Sequence, residues 1–121
     1  MRVIIAGSRN MPVSKYRWIA RAVELSGFVV TEVVCGLARG ADTLGKRWAE
    51  ENQIPVTEFP AEWDKFGKSA GPRRNKQMAD HADALIVFIW DNSRGSQNML
   101  NQMRGQKKPC FIIRNGAVST S

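Results

Sequence analysis

Glycine, serine and arginine recur at four places in this 121-residue sequence where an apolar run gives way to a helical pattern. The four segments are GSRN (7–10), GLARGAD (36–42), AGPRRN (70–75) and DNSRGSQN (91–98). Each segment places backbone N–H groups and an arginine at a strand-to-helix turn or a helix N-terminus, where the helix dipole favours phosphate. Together they predict one site for a phosphate-bearing ligand.

Each candidate residue also has a structural explanation, which the sequence leaves open. Gly7 and Gly36 are typical of tight turns, Ser8 of a helix cap or turn, and the five arginines of these segments of solvated surface charge. Asp42 could cap a helix or bind a ribose or a phosphate-bound water. Trp63 lies in an irregular stretch, where it could stack on a base or hold the loop.

The segments between these turns indicate an α/β protein. Five short apolar runs predict strands, and amphipathic patterns between them predict helices over 14–27, 42–52, 71–83 and 93–106. Strands without polar alternation are expected where helices cover both faces of a parallel sheet. We therefore predict a single Rossmann-like, doubly wound domain over residues 1–121, with about five mainly parallel strands, helices on both faces and a flexible tail over residues 114–121. The five predicted strands span 2–7, 28–36, 54–59, 83–90 and 109–114.

Composition narrows the class of partner. Eighteen Lys and Arg against eleven Asp and Glu give a net charge of +7, which favours an anionic partner. Cys35 and Cys110 have no CxxC spacing, and the single histidine, His81, is expected to interact with a helix dipole. We expect reduced thiols, no metal, no cofactor and no membrane contact, because the apolar N-terminal run is too short for a signal or a span. A cytoplasmic location follows.

Four stretches of the sequence resemble the SLOG superfamily, and specifically its small YspA and cpYpsA-related branch. They are RVIIAGSRN, CGLARGAD, FPAEWDKFGKSAGPRRNKQM and ADALIVFIWDNSRGSQNM, and the resemblance covers residues 2–113. It implies a Rossmann-like fold, a nucleotide-derived ligand and possible assembly into homodimers or larger oligomers. The residues that it places around the ligand are Gly7, Ser8, Arg9, Gly36, Arg39, Gly40, Asp42, Arg74, Asn75, Gly95 and Ser96. To these we add Trp63, Asp91, Ser93 and Arg94 from the segments above.

One departure bears on catalysis. Phosphoribohydrolases of the LOG type carry R-K-x-x-M, then A-D-A, then P-G-G-x-G-T-x-x-E, with the Arg and the final Glu serving cleavage. Arg74, Met78 and residues 82–84 fit the first two parts, but the Glu position falls near Asn98 or Met99, which supply no carboxylate.

The resemblance therefore leaves three functions. The first is binding of a phosphate-bearing nucleotide derivative such as ADP-ribose, NAD, a nucleoside monophosphate or a cyclic nucleotide, with no catalytic residue, in a sensor or a sequestering protein of a host or a phage. The alternatives are N-glycosidic hydrolysis of a nucleotide, as in LOG, and single-stranded DNA binding, as in DNA-processing protein A.

Overall fold

The computed structural model describes residues 1–36, 40–90 and 93–119, and a mixed β-sheet forms the centre of the fold. In this part of the chain the strands are β1 (Arg2–Gly7), β2 (Glu32–Cys35), β3 (Val56–Glu58), β4 (Ala84–Ile89), β5 (Cys110–Arg114) and β6 (Ala117–Ser119). Their order in the sheet is β3-β2-β1-β4-β5-β6. The first five strands are parallel to their neighbours, whereas β6 pairs antiparallel with β5.

The described helices comprise four that lie where the sequence predicts them and a short one that the sequence does not predict. They are α1 (Arg17–Ser26), α2 (Ala41–Glu51), α3 (Trp63–Phe66), α4 (Ala70–His81) and α5 (Arg94–Gly105), with 3-10 turns at Val13–Lys15 and Gly67–Ser69. α1 ends at Gly27, which adopts the left-handed conformation that suits glycine at a helix end. The irregular stretch 60–72 contains α3 and a 3-10 turn, which no sequence period indicates.

Both faces of the sheet are buried. Val3 and Ile5 of β1 belong to one apolar cluster, which contains buried residues of α1 and α2. Ile4 and Ala6 belong to a second cluster, which contains buried residues of α4 and α5. Because successive side chains of a strand point to opposite faces, helices on both sides require strands that are apolar throughout. The predicted Rossmann-like, doubly wound fold is confirmed.

The strand order fixes the place where a ligand can bind. From β1 the chain continues outward to β2 and β3, and it then returns to the other side of β1 for β4 and β5. The carboxyl ends of β1 and β4 therefore diverge into connections on opposite sides of the sheet. In open α/β sheets this switch point is where a crevice forms.

The predicted flexible tail is wrong for the residues that form β6. Asn115 and Gly116 have φ values of 49° and 87°, and they join Arg114 to its partner Ala117 in a two-residue hairpin. Positive φ at both central residues defines a type I′ turn, for which Asn-Gly is the favoured sequence. The Asn115-Gly116 dipeptide is thus the physical reason for the sixth strand, Ala117–Ser119.

The remaining expectations about the chain concern cysteines and membranes. Cys35 is buried and Cys110 is half-buried, and no disulfide joins them. Burial raises the pKa of the Cys110 thiol, while the nearby Arg104 acts in the opposite direction. No helix within the described ranges is both long enough and apolar enough to cross a bilayer.

Candidate functional site

A cleft of about 550 Å³ opens beyond the carboxyl end of β1, between the N-terminal halves of α4 and α5. Its position is the switch point of the sheet. Most of the predicted site residues line it: Gly7, Ser8, Arg9, Asp42, Trp63, Arg74, Asn75, Ser93, Arg94, Gly95 and Ser96. The structure therefore brings residues of all four glycine- and arginine-containing segments, together with the tryptophan, to one place.

Two predicted residues, Gly36 and Gly40, are not among the described residues that line the cleft. Gly36 lies against the Arg74 guanidinium and Gly40 against the backbone of Ser8 and Arg9, whereas Arg39 and Asp91 fall outside the residues that the structure describes. The lining also includes residues that sequence reasoning missed: Ala6, Asn10, Lys68, Gly71, Pro72, Met78, Asn98 and Met99. Asn98 could have been found from its helical spacing, because it lies one turn after Arg94 on the same face of α5.

Ser8 holds the two central strands together at the edge of the cleft. Its side chain is buried, its Oγ accepts from the Trp90 N–H at 2.7 Å, and it donates to the Trp90 carbonyl at 3.1 Å. Its backbone N–H donates to the Phe88 carbonyl at 2.9 Å. A hydroxyl has one hydrogen to donate. Ser8 therefore shapes the cleft wall, and its hydroxyl hydrogen is not available to a phosphate.

Two glycines allow α2 to approach the end of β1. A Cβ at Gly7 would come within 2.9 Å of the Ala41 Cβ, which is closer than real Cβ contacts allow. Gly40 has a φ of 74°, and a Cβ there would come within 2.8 Å of the Arg9 carbonyl carbon. Both glycines are therefore explained by close packing between β1 and the start of α2. Asp42 lies in the first turn of α2 and is buried.

Arg74 ties α4 to the ends of two neighbouring strands. Its Nη1 donates to the carbonyl of Gly36 and, at 3.4 Å, to that of Phe59, while its Nε donates to Asn75 Oδ1 at 3.0 Å. Burial lowers the pKa of the Arg74 guanidinium, Asp42 opposes this change, and the positive charge of Arg9 adds to it. Arg74 thus has a structural role besides its place in the cleft.

Three other cations of the cleft have no partner among the described residues. Arg9, Lys68 and Arg94 line it without a hydrogen bond, ion pair or ring contact to any other described residue. With Arg74 they make four basic side chains, against one acidic side chain, Asp42, among the described residues of the lining. The cleft therefore has an excess of positive charge in a concave space, which raises the local concentration of anions.

The start of α5 adds backbone donors to this charge. Ser93 is its N-cap, but the Ser93 hydroxyl bonds to Ser96 Oγ at 2.8 Å and does not cap a backbone N–H. The first turn contains Arg94 and no acidic residue. A Cβ at Gly95 would meet no atom within 4 Å, so the backbone there is open to close approach. The N–H groups of this turn are suited to an anion.

Trp63 provides a partly exposed aromatic surface at the other side of the cleft. It is the first residue of α3, its side chain is 49% exposed, and its ring lies against Gly71, where a Cβ would come within 3.3 Å of Cη2. A large exposed aromatic ring beside a cationic cleft is suited to stacking on a planar, anionic molecule.

Fold and site together define a Rossmann-like α/β protein with a basic cleft at its switch point. Residues 1–66 match the sequence model of the YspA, cpYpsA-related SLOG family, and the chain belongs to this family. It is 35% identical over 125 residues to the Gene 61 protein of Mycobacterium phage D29, an alignment that covers 95% of this chain and 96% of that protein.

A solved structure shows the same fold. DNA processing protein A (DprA) from Streptococcus pneumoniae superposes with a TM-score of 0.76 at 19% sequence identity, over 96% of this chain. The present chain spans about half of that protein, since the superposition covers 52% of the DprA chain. The similarity confirms the fold of the SLOG family member described here.

Proposed function

We propose that this protein binds a phosphate-bearing nucleotide derivative, such as ADP-ribose, NAD, a nucleoside monophosphate or a cyclic nucleotide, in the cleft at the switch point. It would act as a sensor or a sequestering protein. The observation that carries the proposal is the group of three cations, Arg9, Lys68 and Arg94, which line the cleft beside the open start of α5 and have no protein partner in the described chain.

The energetics of the cleft favour such a ligand. Each charge-assisted hydrogen bond from these side chains would contribute roughly 1.5 to 3 kcal/mol, and stacking on Trp63 would contribute roughly 1 to 3 kcal/mol. The cleft volume of about 550 Å³ lies within the range of small-molecule sites. We assign the phosphates to the α5 side of the cleft and the base to the Trp63 side.

The test is a thermal-shift screen with AMP, cyclic nucleotides, NAD and ADP-ribose, with adenosine as the control that lacks phosphate. A ligand at 100 times its dissociation constant adds about 2.7 kcal/mol to the free energy of unfolding, so the melting temperature should rise by roughly 10 °C. Adenosine should give a much smaller shift. If no phosphate-bearing compound raises the melting temperature, the proposal is refuted.

Hydrolysis of the nucleotide is the second candidate, and the cleft supports it less well. Glycosidic cleavage needs a carboxylate or an equivalent group near the reacting carbon. Among the described residues of the lining, Asp42 is the acidic one, and it lies buried in the first turn of α2. Incubation with AMP, NAD or ADP-ribose followed by chromatography should therefore release no base above the blank. Turnover of about 1 per second, an ordinary enzymatic rate, would favour hydrolysis.

Binding of single-stranded DNA is the third candidate, favoured by the net charge of +7 and by the fold shared with a protein named for DNA processing. Four described cations, Arg9, Lys68, Arg74 and Arg94, line the same cleft, and such a compact group suits one or two phosphates better than a long strand. A competition experiment between a nucleotide and an oligonucleotide distinguishes nucleotide binding from DNA binding. A single-stranded oligonucleotide that binds tightly at about 0.3 M salt, where the Debye length is only several ångströms, and that displaces every nucleotide would favour DNA.

A further inference from the structure

Three amide and guanidinium side chains form a hydrogen-bond chain along the cleft floor. Arg74 Nε donates to Asn75 Oδ1 at 3.0 Å, and Asn75 Nδ2 donates to the Gly95 carbonyl at 3.2 Å and to Asn98 Oδ1 at 3.0 Å. Asn75 is 5% exposed, so it is fixed between α4 and α5. Asn98 is half-buried and lines the cleft.

The fixed donor and the fixed acceptor in this hydrogen-bond chain determine the orientation of the Asn75 and Asn98 amides. The Arg74 guanidinium can only donate, and the Gly95 carbonyl can only accept. Asn75 must therefore turn its oxygen to Arg74 and its nitrogen to Gly95. The atom of Asn98 that faces Asn75 must then be an acceptor, which is its oxygen. Asn98 Nδ2 consequently keeps both of its hydrogens, with no acceptor among the described residues.

We infer that Asn98 is a specificity-determining residue of the cleft, which donates a hydrogen bond from Nδ2 to an anionic oxygen of the bound ligand, such as a phosphate oxygen. This inference rests on the proposed function. Asn98 lies one helical turn beyond Arg94 on the same face of α5, so it reaches an oxygen deeper in the cleft than the one bound at the helix start. Asn75 is the positioning residue that sets this polarity.

Substitutions of Asn98 test whether the ligand group that faces it is an anionic oxygen or a neutral hydroxyl. Asn98→Ala removes the donor without changing charge, and Asn75 Nδ2 keeps the Gly95 carbonyl. Asn98→Asp keeps an acceptor for Asn75 but presents a carboxylate to the ligand, which repels an anionic oxygen and accepts from a hydroxyl. A carboxylate in the N-terminal half of a helix is compatible with folding.

Asn101 offers a matched control on the same helix. It is exposed, it lies outside the cleft, and its Oδ1 accepts from Gln97 Nε2 at 3.0 Å. Asn101→Ala and Asn101→Asp repeat the same chemical changes, including the added negative charge, away from the ligand. Any general effect of charge or of helix propensity in α5 should appear in both pairs of variants.

The measurement is isothermal titration calorimetry with AMP and with ADP-ribose on the full chain. We expect Asn98→Ala to weaken binding by roughly tenfold and Asn98→Asp by more, while both Asn101 variants stay within about twofold of the wild type. The inference is overturned if Asn98→Ala binds like Asn101→Ala, or if Asn98→Asp binds as well as the wild type, which would indicate a hydroxyl. If the wild type itself binds neither compound nor any other nucleotide, the proposed function fails, and this inference fails with it.

Discussion

Replacement of Arg94 by alanine should make the empty protein more stable and the ligand complex weaker. Arg94 is exposed in the first turn of α5, which has no acidic residue, so its positive charge faces the positive end of the helix dipole. Removing an exposed charge from that position should contribute about 0.3 to 1 kcal/mol, and alanine is also a slightly better helix former than arginine. The melting temperature of the empty protein should rise by roughly 1 to 5 °C.

The same substitution should weaken nucleotide binding. It removes a cation that has no described protein partner, so nothing in the fold replaces the contact with a phosphate. The loss of one charge-assisted hydrogen bond corresponds to roughly 1.5 to 3 kcal/mol, or about 10- to 150-fold in dissociation constant. Because the lost hydrogen bond exists only in the complex, the rise in melting temperature caused by the ligand should be smaller in the variant. This should hold although the melting temperature of the empty variant is higher than that of the empty wild type.

Arg104→Ala provides the control with the opposite sign. Arg104 is exposed in the last turn of α5, where a cation is favourable to the dipole. It lies about 15 Å along the helix from Arg94, beyond the Debye length of about 8 Å at physiological salt. Arg104→Ala should therefore lower the melting temperature of the empty protein and leave ligand affinity unchanged. If Arg94→Ala binds nucleotide as tightly as Arg104→Ala, the assignment of the phosphate to the start of α5 is wrong.

Four further perturbations test other parts of the structure. Trp63→Leu should weaken binding of AMP by roughly 1 to 3 kcal/mol but leave binding of inorganic pyrophosphate unchanged, and equal losses for both would argue against stacking. Affinity for single-stranded DNA should fall steeply with salt, with a slope near 0.7 per phosphate contacted in a plot of log affinity against log salt concentration. Lys107→Gln should weaken this DNA binding and leave nucleotide binding unchanged. Burial is the largest single effect on the pKa of Glu32 and raises it, but hydrogen bonds from His81 and Thr57, together with electrostatic attraction to His81 and Arg2, bring the pKa below its usual value. Its stabilising effect should be complete above the ordinary carboxyl pKa and should disappear as pH falls through the lowered value, so the difference in melting temperature between the wild type and Glu32→Gln should narrow in acid. Gly116→Ala should destabilise the hairpin by about 1 to 2 kcal/mol in urea unfolding, because φ is 87° there and a Cβ would come within 2.8 Å of Trp18; an unchanged midpoint would contradict this.

The fold was predictable from the sequence because its two central strands are almost entirely apolar, with Arg2 at the start of β1 as the one charged residue in either strand. β1 and β4 show no alternation, which requires helices on both faces, and the helices between them follow a clear 3.6-residue period. The Asn115-Gly116 turn carried an equally strong signal for a hairpin, but its position near the end of the chain favoured the interpretation as a tail. In the structure, the preference of Asn-Gly for a type I′ hairpin turn determines the conformation, and the general tendency of chain ends to be poorly ordered does not.

The candidate site was predictable in its location and less so in the roles of its residues. The turn segments indicated the carboxyl edge of the sheet, since all parallel strands end there. The structural role of Arg74 was not accessible, because its acceptors on Gly36 and Phe59 lie 38 and 15 residues away in sequence. The orientation of the Asn98 amide was not predictable for a related reason, since it depends on a hydrogen bond from another helix.

The ion pairs at the other end of the sheet have a consequence for the kinetics of binding. At the amino edge, Arg2 pairs with Asp83 at 3.6 Å and His81 contacts the Glu32 carboxylate at 2.6 Å, so acidic groups lie among the basic ones there. At the carboxyl edge, Arg9, Lys68 and Arg94 line the cleft without an ion pair to any described residue, so the cleft presents a concentration of positive charge to solvent. An anionic ligand should therefore be guided to the cleft as it approaches. Added salt should slow its association, while the rate of dissociation should depend mainly on the contacts made inside the cleft.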